Sequence, residues 1–237
     1  KHCEAERRER LGFSDVSHVI PPTFSEPLYI EWNAEIIANP LLQEWTDFRC
    51  ETLARSYKTL AEFCRCLNPD IAVECNPTGI WGENAPYLRS VDHARLLPYG
   101  DFFWDESPNP HGLQPNGALP TQARSMKMGQ AFRNRAFFYV HGATPPAREL
   151  RMAEGLAYNG GCIGLAVGIE GDKVSCFPEC RAYIRFLREH SDMFCRTRSV
   201  ARVAVYRSFA SLANDCWGPH LQAILAEQTL LQSHIPF

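Results

Sequence analysis

The chain has 237 residues, enough for one large domain or two small ones, and its 45% apolar content is ample for a core. A net charge of −3 at pH 7, with no basic stripe, argues against a nucleic-acid partner. The apolar runs are short and broken by Arg, Glu or Gly, so no membrane-spanning helix is expected, and the charged opening lacks the apolar segment of a secretory signal. With no initiator Met, and an end at Ile235-Pro-Phe237 directly after an expected helix, the sequence reads as a fragment.

Residues 1–12 read as a helical start of mostly solvated charges. Residues 13–39 are Pro-rich and irregular; Tyr29, Glu31, Trp32 and Asn33 there serve either as cover for a site or as packing. From Pro40 the spacing predicts a long helix to Leu67. Its stripe of Leu41, Leu42, Trp45, Phe48, Leu53, Tyr57, Leu60, Phe63 and Leu67 is expected to be core packing. Residues 71–73 read as a buried parallel strand running into Glu74-Cys75-Asn76.

The reading turns on residues 99–110, YGDFFWDESPNP. They predict a buried strand over 101–104 that delivers Asp105 and Glu106 into a loop, because the prolines that follow cannot continue a ladder. Carboxylates at the carboxyl end of an apolar strand stand where α/β folds put their chemistry. A turn-capping Asp105 and a solvated Glu106 are the plain alternative.

Further along, helices are expected over 121–132, 145–157 and 178–194, with strands over 135–140 and 162–167. Arg148, Glu149, Arg151 and Glu154 mark the polar positions of the second of these helices. This alternation is the rhythm of βα units on a parallel sheet. Strands that each end on polar residues or Gly favour half of a β/α barrel over an open doubly wound sheet, and no Gly-x-Gly-x-x-Gly follows any strand. At 198 the character changes. A fresh strand over 198–208, a helix over 219–231 and another strand start at 235 read as the opening βα unit of a second α/β domain.

The ten cysteines are scattered, with no paired Cys-x-x-Cys, which fits free thiols in a reducing cytoplasm.

Trp45-x-x-Phe-Arg49, Glu74-Cys-Asn76, Asp101-Phe-Phe-Trp-Asp105-x-x-Pro108, Gly129 before Arg135-Ala-Phe-Phe138, and Glu154-x-x-Ala157 follow one another in a telling order. That order resembles the barrel of glycoside hydrolase family 42-like (β-galactosidase-like) glycosyl hydrolases over nearly the whole chain. The resemblance implies that residues 1–197 form the C-terminal half of a TIM-type β/α barrel. Residues 198–237 would then open a Rossmann-like, amidotransferase-like trimerisation domain. It further implies a homo-oligomer, a trimer, formed through that second domain.

The departures are specific. His141 falls where the family has its nucleophilic Glu, and the family's acid/base Glu would precede Lys1. Only Cys3 remains of a cysteine-rich segment that can bind zinc, with Glu6 where another cysteine is expected, so no metal is expected.

Glycoside hydrolysis needs two carboxyl groups, one protonated and one ionised. Neighbours on a strand face opposite ways. Glu106 is therefore the candidate general acid/base, and Asp105 a group that binds or orients a hydroxyl. Glu74, Asn76, Trp104, Trp81, His141 and Tyr139 are candidate sugar-binding residues; Glu74, ending an apolar strand, must reach the barrel mouth or pair with Arg or His. Glu154 reads as a structural partner for an Arg. The expected function is cleavage of O-glycosidic bonds in a small saccharide without a cofactor. The alternative is a carbohydrate-binding barrel that has lost catalysis.

Overall fold

The computed structural model describes residues 37, 40–77, 80, 84–105, 121–138, 144–160, 162, 164, 167–170, 173–195, 197–215 and 218–237. The chain divides into two compact units, one of Lys1–Leu60, Gly82–Leu96 and Val205–Ala226, the other of Ala61–Trp81, Leu97–Ala204 and Glu227–Phe237. The expected boundary between 197 and 198 falls inside the second of these. The expected helix over 1–12 and the loop over 107–120 lie outside the described residues, as does nearly all of the segment 13–39.

Helix α1 (Pro40–Leu67) has proline at its first position and stops before Asn68-Pro69, as the sequence predicts. Its buried face is not the expected one. Thr46, Cys50, Ala54 and Ala61 are buried, whereas Leu53, Leu60, Phe63 and Leu67 are exposed, Leu67 at 72%. The large residues lie about a quarter turn from the buried stripe, a displacement that periodicity alone does not reveal.

In the first unit, α1 is joined by short helices α2 (Ala85–Arg89), α3 (His93–Leu96) and, later in the chain, Phe209–Asn214. Asn84 caps α2 by accepting from Tyr87 N at 3.0 Å, and its amide donates to Ala213 O at 2.9 Å. The Arg95 guanidinium reaches Asp47 at 2.7 Å and Asp92 at 3.0 Å and lies 4.4 Å from the centre of the Phe209 ring. One side chain thus ties three segments. Cys50, buried beside these carboxylates, has its thiol pushed up to about 12, chiefly by desolvation.

The second unit is built on a parallel sheet, order β1-β2-β3, of β1 (Glu74–Cys75), β2 (Phe102–Asp105) and β3 (Arg135–Phe138). The first strand begins later than the sequence suggests, and residues 71–73 precede it without strand pairing. Helices α4 (Ala123–Ala131), α5 (Pro145–Tyr158) and α6 (Pro178–Glu189) supply its core with β2 and β3: Leu97, Phe103, Met126, Ala136, Phe138, Met152 and Cys180 are all fully buried. The helix expected over 178–194 breaks after Glu189, and Ser191–Cys195 forms a separate short helix, α7. Gly129 lets α4 approach the sheet closely, since a Cβ there would meet Phe103 and Asn134 O at 3.1 Å. With Phe209–Asn214 as α8, the last helix is α9 (Gly218–Gln232). Its Glu227 pairs with Arg124 of α4 in a largely buried salt bridge.

Asn159, fully buried, serves β3 as a surrogate strand partner. Its side chain accepts from Ala136 N at 3.2 Å and donates to Ala136 O and Cys162 O, each at 2.7 Å. A backbone edge is thereby satisfied by an amide.

Three strand expectations are corrected. Of the strand expected over 162–167, the described residues Cys162 and Gly164 lie in none, and Val167 opens β4 (Val167–Glu170), which pairs antiparallel with β5 (Lys173–Cys176) in a separate sheet. Gly171-Asp172 between two β-branched runs is the two-residue hairpin signal that accounts for it. Residues 197–208 form no strand, with Val200 81% and Tyr206 86% exposed, and residues 235–237 form none either. Strand propensity becomes a strand only where a ladder partner and a face to pack on are present. Among the described residues no helix is long and apolar enough to cross a membrane.

Replacing Asn159 by Leu strips partners from three buried backbone bonds. Equilibrium urea unfolding is expected to show a loss of about 3 kcal/mol, and a variant within error of the parent would refute the surrogate-strand role.

Candidate functional site

The register sorts the strand residues onto two faces. Glu74 pairs with Phe102, which pairs with Arg135, and Trp104 pairs with Phe137; Cys75 pairs with Phe103, which pairs with Ala136, and Asp105 pairs with Phe138. In a parallel sheet, paired residues share a face and successive residues alternate. Glu74, Phe102, Trp104, Arg135 and Phe137 therefore lie on one face. Cys75, Phe103, Asp105, Ala136 and Phe138 lie on the other, the face packed in the core with α4, α5 and α6.

The first face is half-buried apart from Glu74, which is exposed. Trp104 and Phe137 pack side by side, centroids 5.1 Å apart and planes tilted by 44°. Partial desolvation raises the Glu74 carboxyl above its ordinary value, the direction a proton donor needs. Glu74 and Trp104 are thus brought to one face, Glu74 level with Phe102 at the start of β2 and Trp104 two residues further along that strand.

Asp105 is placed on the other face, 1% exposed. Facing it electrostatically is Arg151, the largest fully buried side chain among the described residues. Burial pushes the Arg151 guanidinium down to about 10, while the carboxylates of Glu154 and Asp105 hold it up. Its carbon lies 5.9 Å from the centre of the Phe138 ring. Glu154, one turn along α5, accepts from the Thr121 hydroxyl and from Gln122 N at 3.5 Å. A carboxylate thereby stands at the N-terminus of α4, where the helix dipole favours it. Thr121 Oγ1 accepts in turn from Ala123 N at 3.0 Å.

Glu154 is an Arg neighbour, as the sequence suggests, but Arg151 is not the polar surface position expected of it. The signal that could have found it is Gly155, four residues on and also buried: a small residue beside an arginine marks a helix face that approaches its neighbour closely. Gln122, 2% exposed, is a second buried polar residue that patterning missed. Asn76, expected beside Glu74, is exposed just beyond β1. Glu106, Trp81, Tyr139 and His141 lie outside the described residues. Among those described, no group of three His, Cys, Asp or Glu side chains could hold a metal ion.

Comparison with protein-family models, with curated proteins and with solved structures gives no significant match to this chain.

The raised Glu74 carboxyl carries a sign. A folded-state value above the unfolded one favours folding at low pH, and that contribution is lost as pH rises through the folded value. Glu74→Gln is therefore expected to melt no lower than the parent at pH 7, with any gain vanishing below about pH 4. A variant less stable than the parent at pH 7 would mean that the ionised carboxylate has a stabilising partner.

Proposed function

We propose that residues 1–197 carry the C-terminal half of a β/α barrel of the glycosyl hydrolase type. It acts on O-glycosidic bonds of a small saccharide through carboxyl groups and without a cofactor. The observation that carries this reading is the pairing of a carboxyl and an aromatic surface on one sheet face. Glu74, with its raised carboxyl, and the Trp104–Phe137 pair share the face opposite the helix-packed core, with the rings two residues further along the strands than Glu74. Apolar rings with a few polar groups make the lining of a small-ligand site. In β/α folds the carboxyl ends of strands are where such sites are built.

In this reading Glu106 is the general acid/base, Glu74 and Asn76 bind hydroxyls, and Trp104 and Trp81 stack on sugar faces; His141 and Tyr139 complete the rim. Asp105 does not touch sugar; it holds the end of β2 from the core side. The trimer expected through residues 198–237 belongs to the same proposal, and so does a reducing compartment. The latter is supported by the free thiols of Cys50, Cys64, Cys66, Cys75, Cys162 and Cys180.

The second reading, a barrel that binds carbohydrate without cleaving it, gains from the burial of Asp105, which removes one of the two neighbouring carboxylates from the sugar-facing side.

The test is Glu106→Gln in the intact protein, assayed on a panel of aryl glycosides with thermal melts alongside. The expected result is a roughly 10²–10⁴-fold loss of aglycone release, the range of one general acid/base, at unchanged melting temperature. Undiminished turnover removes Glu106 from the mechanism. If the parent binds sugars, seen as stabilisation, but turns over none of the panel, the binding-only reading stands instead.

A further inference from the structure

Residues 181–204 hold six arginines and no lysine against Glu189 and Asp192 alone, a local excess of +4 in a chain whose total is −3. Three of them, Arg181, Arg185 and Arg188, stand four and three residues apart on α6 and so share one face of that helix. All three are exposed and none forms an ion pair, although Glu189 stands four residues beyond Arg185. Like charges at these spacings oppose a helix rather than support it. The helix packs in the core through Cys180, Tyr183, Ile184 and Leu187 instead.

The charge continues beyond α7. Phe194 packs edge-on against Phe186 of α6, centroids 5.8 Å apart, and its carbonyl accepts from Thr197 Oγ1 at 3.0 Å. The start of the next segment is thereby tied to α6. Residues 198–204, RSVARVA, are neither helix, strand nor turn. Arg198, Val200, Arg202 and Val203 are exposed, Val200 at 81%. Across this segment the backbone makes a single hydrogen bond, Ala201 N donating to Ser199 Oγ at 3.2 Å. A β-prone stretch that keeps its N–H and C=O groups free is a strand edge without a sheet.

Two requirements define the occupant. A row of free donors and acceptors is matched by another polypeptide in strand pairing, whereas a saccharide or a nucleic acid offers no such alternation. The guanidinium groups then select the sign of the partner. A second copy of the same segment is disfavoured, because antiparallel pairing about Val200 sets Arg198 opposite Arg202, and in-register parallel pairing sets each arginine beside its own copy.

We propose that residues 198–204 are a docking strand for an extended acidic segment of another polypeptide. That segment adds by main-chain pairing while its carboxylates meet Arg198 and Arg202, and the Arg181–Arg185–Arg188 face of α6 steers its approach. The proposal is independent of the hydrolase reading.

The probe is a short fluorescent peptide alternating Glu and Val, added to the intact protein and followed by anisotropy. Its controls are a peptide alternating Glu and Pro, with the same charge but without half the donors, a peptide alternating Lys and Val, and a duplex DNA. The Glu–Val peptide is expected to bind at least about tenfold more tightly than each control. At saturation it is expected to slow amide exchange at Val200–Ala204. Val200→Pro, and separately Arg198→Ser with Arg202→Ser, are each expected to weaken it about tenfold. These side chains are exposed, so parent-like melting is expected of both variants; should either not fold, amide exchange in the parent decides.

Equal binding of the Glu–Pro peptide or of DNA reduces the surface to a patch of charge and overturns strand docking. Equal binding of the Lys–Val peptide overturns the choice of an acidic partner. No binding of the Glu–Val peptide at about 1 mM, or unchanged exchange at Val200–Ala204, overturns the proposal as a whole. Replacing Arg181, Arg185 and Arg188 together by Gln is expected to slow association several-fold at low salt with dissociation unchanged; a parent-like rate overturns the steering role of α6.

Discussion

A guanidinium inside a protein is the constraint to which much of the second unit answers. Arg151 is fully buried, and an ion moved out of water loses several kcal/mol of hydration unless the interior returns it. The carboxylates of Glu154 on its own helix and Asp105 on β2 offset part of that loss electrostatically, and the Phe138 ring lies near its carbon. Those partners belong to three elements: α5, β2 and β3. The same turn then reaches α4 through Glu154, which stands in for the side-chain cap that Gln122 does not provide.

The sheet supplies the second constraint, and it is a matter of parity. Once Phe103 packs under α4 beside Gly129, strand alternation puts Asp105 on the same side and Trp104 on the other. Parallel register carries that assignment to β1, so Glu74 joins Trp104 and Cys75 joins Phe103. A single packing contact thus separates the two functional candidates at the end of β2 from one another. The expectation that neighbouring Asp105 and Glu106 cannot both face one site follows from the same parity. What the sequence leaves open is which of them turns inward. For Asp105 the answer is the core side, because Arg151 waits there.

How far the sequence is legible depends on whether a feature is local. Helices α1, α5 and α9 begin and end within about two residues of where proline, glycine and periodicity place them, since those signals act over a single turn. The parallel sheet also follows from the strand–helix rhythm, as do β2 and β3. Arg151 and Asn159 are not legible in that way. Each is a polar residue whose burial depends on a partner far along the chain: Asp105 for the one, the exposed edge of Ala136 for the other. Polar type alone predicts surface, and only tertiary contact reverses it.

The remaining differences share a cause. The stripe of α1 and the run 198–206 both carry strong local patterns, one helical and one alternating, and both leave large apolar side chains exposed. A pattern states what a segment can bury and with which period. Burial also requires an opposing surface at the matching height. Along α1 the fully buried positions are Thr46, Cys50, Ala54 and Ala61, while Leu41, Leu42, Trp45, Phe48 and Tyr57 of the apolar stripe are half-buried and its later members, Leu53, Leu60, Phe63 and Leu67, are exposed. The helix thus keeps its period while its most buried line is turned away from the largest side chains. In 198–206 the propensity is present but the ladder is missing, so no strand forms. Period is a property of the segment, whereas face and pairing are properties of its neighbours. The same distinction explains why the strands that carry Glu74 and Trp104 could be read in advance, while the burial of Arg151 could not.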